Sequence, residues 1–127
     1  MYKNYNKNAF TNIIAGGLII LFLSIGFIPN LSAVDKIAPQ WLYLSILNFL
    51  CGIFLYSKRK SFQKGFEAIL TSAMSWSYIG FVLWASMSYF YAINPIEVIV
   101  NIARHFNTLF MFLHLGVLIL NLKDKNR

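Results

Sequence analysis

Acidic residues, cysteine and recognisable catalytic motifs are scarce in this chain, and each shortage removes a class of answer. Four carboxylates, Asp35, Glu67, Glu97 and Asp124, stand against eleven lysines and arginines in 127 residues. No two of the four form an obvious pair for general acid–base work. The single cysteine, Cys51, excludes an intramolecular disulfide framework and a cysteine-based zinc cluster. HExxH, GxSxG, GxGxxG, CxxC and the P-loop are all missing. His105 and His114 are nine positions apart, about 180° around a helix, so they cannot share a metal within it. No catalytic residue, metal or cofactor is expected.

Charge as a whole is also rare. Only 12% of residues are charged, 58% are hydrophobic and the mean hydropathy is +0.61. Soluble domains run at about 25% charged and about 45–50% apolar, and a globule of this size has too little interior to hide the surplus. Lipid has to take it up, which implies an all-α integral membrane protein.

Four apolar runs predict four transmembrane helices, over about 10–28, 41–56, 68–93 and 95–122. The first follows Lys3 and Lys7 and resembles a signal peptide, with Leu31-Ser32-Ala33 as a weak cleavage site. Its apolar stretch exceeds the usual length of about 7–15 residues, however, and three more runs follow. The second run, residues 41–56, is short and carries Trp41, Tyr43 and Tyr56 at its ends, where amphipathic rings suit the headgroup zone. The third is long enough to need tilting, with Trp84, Tyr89 and Tyr91 at its emergence. The fourth opens on Asn94-Pro95-Ile96-Glu97, which combines an N-cap asparagine, a proline at the first helical position and an early glutamate.

Orientation follows from where the cations sit. Lys3, Lys7, Lys58, Arg59, Lys60, Lys64, Lys123, Lys125 and Arg127 fall on one side, and only Lys36 and Arg104 do not. By the positive-inside rule both termini and the 57–65 loop are cytoplasmic. The net charge of +7 is then mostly topology, and a nucleic-acid partner is not expected. Glu67, three residues after Lys64, is read as half of an interfacial ion pair.

The fourth run has a polar stripe. Measured from Arg104, Glu97 lies at about +20°, Thr108 at about +40°, Asn101 at about +60°, Asn107 at about −60° and His114 at about −80°. An intramembrane arginine faces protein, water or a ligand, because at a helix centre it costs at least about 2.5–3.5 kcal/mol. One reading has Arg104, with Asn101, Asn107 or His105, meeting an anionic headgroup or phosphate. The other has Arg104 paired with Glu97 or snorkelling to lipid phosphates. Ala68, Ser72, Ser75 and Ser86 share a narrow face of the third run, and Ala15-Gly16-Gly17 sits in the first. Both are read as places where another helix approaches.

Three stretches carry a resemblance: Val34-Asp35-Lys36-Ile37-Ala38-Pro39-Gln40-Trp41-Leu42-Tyr43, Trp84-Ala85-Ser86-Met87-Ser88-Tyr89-Phe90-Tyr91-Ala92-Ile93-Asn94-Pro95 and Asn101-Ile102-Ala103-Arg104. Together they resemble the amino-terminal membrane region of the O-antigen ligase and O-antigen polymerase family. In that family a Ser-x-x-Tyr-Ala-x-Asn-Pro-x-Glu segment recurs at an extracytoplasmic helix junction; here it runs from Ser88 to Glu97. The resemblance implies a bacterial inner-membrane protein and glycan transfer from undecaprenyl pyrophosphate to an acceptor, without nucleotide sugar or obligatory metal. It also implies about a dozen helices and a large extracytoplasmic loop, with the catalytic arginines and histidine beyond this stretch, so the chain reads as a fragment that is not catalytic alone. The alternative is a small four-helix membrane scaffold or carrier subunit that works as a homo-oligomer.

Overall fold

The computed structural model describes residues 2–29 and 37–125. The connection 30–36 lies outside the described residues, and with it the start of the Val34–Tyr43 stretch. The described residues are 92% helical and contain no strand, so nearly every main-chain polar group is paired within its own segment, as lipid requires. Among the described residues five α-helices form: α1 (Tyr2–Leu23), α2 (Ala38–Ser57), α3 (Gln63–Thr71), α4 (Ala73–Ser86) and α5 (Pro95–Lys125). Stretches 9–27, 38–57 and 95–122 are long and apolar enough to cross a membrane. The α3–α4 pair makes a fourth when counted as one bent span.

The third run is where the expected boundaries fail. Instead of one helix over 68–93, α3 starts at Gln63, the chain breaks at Ser72, and α4 runs on at 65° to α3 before a 3-10 turn over Met87–Tyr91. Ser72 is extended, with φ −71° and ψ 127°. Side chains on both sides of the break bond back to α3, and the Trp76 indole takes up a carbonyl that the break releases. Thr71 Oγ1 donates to the carbonyl of Glu67 at 2.8 Å, and the Trp76 indole Nε1 donates to that of Leu70 at 2.8 Å. An elbow at membrane depth is tolerable when its carbonyls are satisfied in this way.

The 57–65 connection is likewise more ordered than a loop. It holds a 3-10 turn over Arg59–Ser61, with the Arg59 guanidinium over the Tyr56 ring. Phe62 is fully buried and meets Phe54 edge to face, with ring centroids 5.6 Å apart. Glu67 accepts from Gln63 Nε2 at 2.9 Å one turn earlier in α3.

Helix α5 packs against each of the other four. The core joins Ala15 and Phe22 of α1, Leu44, Leu47, Cys51 and Leu55 of α2, Ile69 of α3, and Val117 and Leu118 of α5. In α1 the approach is made by Thr11, Ala15 and Phe22, spaced at helical intervals. Gly16 and Gly17 face open space, contrary to the reading of Ala15-Gly16-Gly17 as one contact. The Tyr43 hydroxyl donates to the carbonyl of Leu21 at 3.0 Å and ties α2 to the end of α1. Of the small-residue face on the third run, Ser75 alone is buried, while Ala68 is exposed and Ser86 turns back onto the carbonyl of Val82. Many large apolar side chains stay outside, among them Phe27, Phe49, Trp76, Trp84 and Phe90.

Candidate functional site

Helix α5 starts as its sequence dictates: the Glu97 amide meets Asn94 Oδ1 at 3.5 Å, and Pro95 occupies the first helical position, where a missing N–H costs nothing. From there the helix carries its polar side chains past two different neighbours. The stripe read as one face is thereby divided.

The half toward α2 forms a hydrogen-bonded seam. Asn48 Nδ2 donates to the main-chain oxygen of Asn107 at 2.8 Å and to Asn107 Oδ1 at 2.6 Å. Asn107 Nδ2 donates to Ser45 Oγ at 2.9 Å, and the Ser45 hydroxyl donates to the carbonyl of Trp41 at 2.8 Å. Two turns further along α5, His114 Nδ1 lies 3.1 Å from Asn48 Oδ1. Asn48 is only 8% exposed, so the seam is set inside the pair rather than on its rim. Each member has a partner from the facing helix, which is what buried polar groups require.

The half toward α4 is smaller. The Tyr78 hydroxyl donates to Thr108 Oγ1 at 3.0 Å, and Thr108 in turn donates to the carbonyl of His105 at 2.9 Å. The His105 ring stands edge-on to Phe81, centroids 5.8 Å apart. His105 and His114 thus look at different helices, and no group of three or more potential metal ligands exists among the described residues.

Arg104 sits beside the seam at the end nearer Pro95. Its guanidinium lies over the Trp41 ring, 5.7 Å from the centroid. A cavity of about 360 Å³ opens there between α2 and α5, with Trp41, Ser45, Val100, Arg104 and Asn107 among its walls. The negative face of the indole ring holds the cation at the wall of this cavity. A second cavity of about 580 Å³ continues from Ser45 and Asn107 toward Gly52 and His114.

Of the four residues singled out from the sequence, the fold brings two together. Arg104 and Asn107 wall one cavity. His105 turns to α4, and Asn101 is exposed on α5. The residues that sequence reasoning missed are Asn48 and Ser45, which were absorbed into an apolar run. Their signal was present: two polar residues three apart inside a span share a face and need a partner.

No protein-family model, curated protein or solved structure matches this chain.

Proposed function

We propose that this chain forms the leading membrane helices of a polytopic glycosyltransferase of the O-antigen ligase or polymerase kind. In this reading it sits in a bacterial inner membrane with both ends cytoplasmic, and the Arg104–Trp41 corner holds the pyrophosphate of an undecaprenyl-linked glycan. Catalytic groups are assigned to no residue of this chain. The observation that carries the reading is a cation held over an indole ring in the wall of a cavity of about 360 Å³. Arginine's planar, permanently charged fork suits phosphate oxygens, and an intramembrane arginine is by default a functional group. The resemblance from Ser88 to Glu97 supports the family, and the orientation rests on the distribution of lysine and arginine.

A second reading, the four-helix scaffold or carrier subunit, is favoured by one observation. The seam of Asn48, Asn107 and His114 satisfies much of the polar stripe from within the chain, so those groups need no further helix.

Two measurements test this. With the protein in nanodiscs, Arg104→Ala is expected to lower retention of undecaprenyl pyrophosphate about tenfold, with Arg104→Lys intermediate, while insertion and yield are unchanged. Equal retention at full yield would sink the headgroup role. Blotting an amino-terminally tagged protein from source-cell membranes separates the two readings. A band several times larger than 14.6 kDa supports the glycosyltransferase, and one at 14.6 kDa supports the scaffold.

A further inference from the structure

The seam fixes where its protons lie, and so the character of the one ring nitrogen it leaves over. A main-chain oxygen only accepts, so the Asn48 atom 2.8 Å from the carbonyl of Asn107 is the amide nitrogen. The other end of that amide, Oδ1, is therefore what His114 Nδ1 meets at 3.1 Å. An acceptor there requires the proton on Nδ1. In the neutral imidazole Nε2 is then a bare acceptor, and it makes no hydrogen bond among the described residues.

Nε2 faces the second cavity. A Cβ built on Gly52, directly across, would stand 3.9 Å from both His114 Nε2 and Cε1. Because position 52 has no side chain, the ring edge is open to a groove of about 580 Å³, within the range of small-molecule sites. The remaining walls are mostly Phe49, Ile53, Tyr56 and Phe110. Phe49 is 70% exposed and Phe110 49%, so the groove opens sideways from the apolar flank of two spans. Its occupant arrives from the hydrocarbon phase.

From this we infer a binding site that goes beyond the headgroup role of Arg104: the α2–α5 groove takes a lipid with a free hydroxyl, the chain lying against Phe49, Ile53 and Phe110 and the hydroxyl donating to His114 Nε2. The complementarity is one of partial charge. At His114 Nε2 the groove offers a lone pair, which a hydroxyl proton matches and an ether or ester oxygen repels. Asn48 is the positioning residue, since it holds the ring in the tautomer that accepts.

The test uses the full chain in phosphatidylcholine nanodiscs, a lipid without a hydroxyl donor, and a diazirine analogue of 1-hexadecanol as photolabel. Unlabelled 1-hexadecanol should displace the label at about tenfold lower concentration than its methyl ether, which has the same chain and no donor. Labelled peptides should map to α2 and α5 around Phe49 and Phe110. Gly52→Leu fills the groove and should reduce labelling at least tenfold at unchanged helicity. Equal displacement by alcohol and ether would overturn the proposal, as would labelling confined to other helices or undiminished labelling of folded Gly52→Leu. The alcohol–ether comparison on the unaltered protein decides the matter even where Gly52→Leu does not fold.

Discussion

Helix α5 meets α2 and α3 by two different physical devices. Against α3 the contact is bare: a Cβ on Gly65 would lie 2.8 Å from the main-chain oxygen of Val117, and one on Gly116 would collide with Ile69 Cδ1. Against α2 the contact is polar, through Asn48, Asn107 and His114. Between helices in lipid, apolar burial gives little preference for protein over hydrocarbon, so association rests on close packing and interhelical hydrogen bonds. This molecule uses each at a separate seam. The glycines set how near α3 comes, whereas the asparagines set how far along its axis α2 lies.

The strongest way to break the close seam is Gly65→Ala. The obstacle is backbone, which cannot swing aside, so a loss of about 2–3 kcal/mol is expected in reversible unfolding from mixed micelles. Gly116→Ala meets the Cδ1 and Cγ1 of the Ile69 side chain rather than backbone and should cost less. A smaller loss for Gly65→Ala than for Gly116→Ala would contradict the packing described.

Breaking the polar seam has a smaller effect. Asn48→Leu leaves Asn107 and His114 without their shared partner and is expected to cost about 1–2 kcal/mol. Combined with Asn107→Leu it should be less than additive, because each substitution alone already removes the bond between the two side-chain amides. Simple additivity in that double-mutant cycle would mean the two asparagines act independently.

A change of opposite sign sharpens the comparison. Ser75 is 1% exposed and its hydroxyl has no hydrogen-bond partner among the described residues, so Ser75→Ala should raise stability by about 1 kcal/mol, read as a higher Tm in the same detergent. The smallest effect belongs to the Tyr78–Thr108 bond toward α4. Tyr78→Phe removes the donor to Thr108 and should cost about 0.5 kcal/mol, the usual size for one interhelical hydrogen bond in a membrane protein. A loss as large as that of Asn48→Leu would show the α4 side to be as strongly tied as the α2 side.

Much of the fold is legible in the order of residues. Hydropathy alone marks the apolar runs, and Asn94-Pro95-Ile96-Glu97 fixes the start of α5, because capping depends on side chains within four positions of each other. The elbow at Ser72 is not legible: neither glycine nor proline stands at the break, and the groups that make it tolerable include Trp76 from the following helix. Nor was Phe62, placed in a loop by its basic neighbours, visible as a buried anchor against Phe54.

The candidate site divides along the same line. That α5 carries Arg104, Asn107, Thr108 and His114 toward one broad side follows from the 3.6-residue period and nothing else. Which of them meet each other was decided by the arrival of α2 on one flank and α4 on the other. Those contacts bridge 59 positions between Asn48 and Asn107, 66 between Asn48 and His114 and 30 between Tyr78 and Thr108. Helical period is a local property of the backbone and survives in any surroundings. A hydrogen bond between helices exists only once packing has chosen their distance and register, and here the small residues of α3 and α5 and the asparagines of α2 and α5 make that choice.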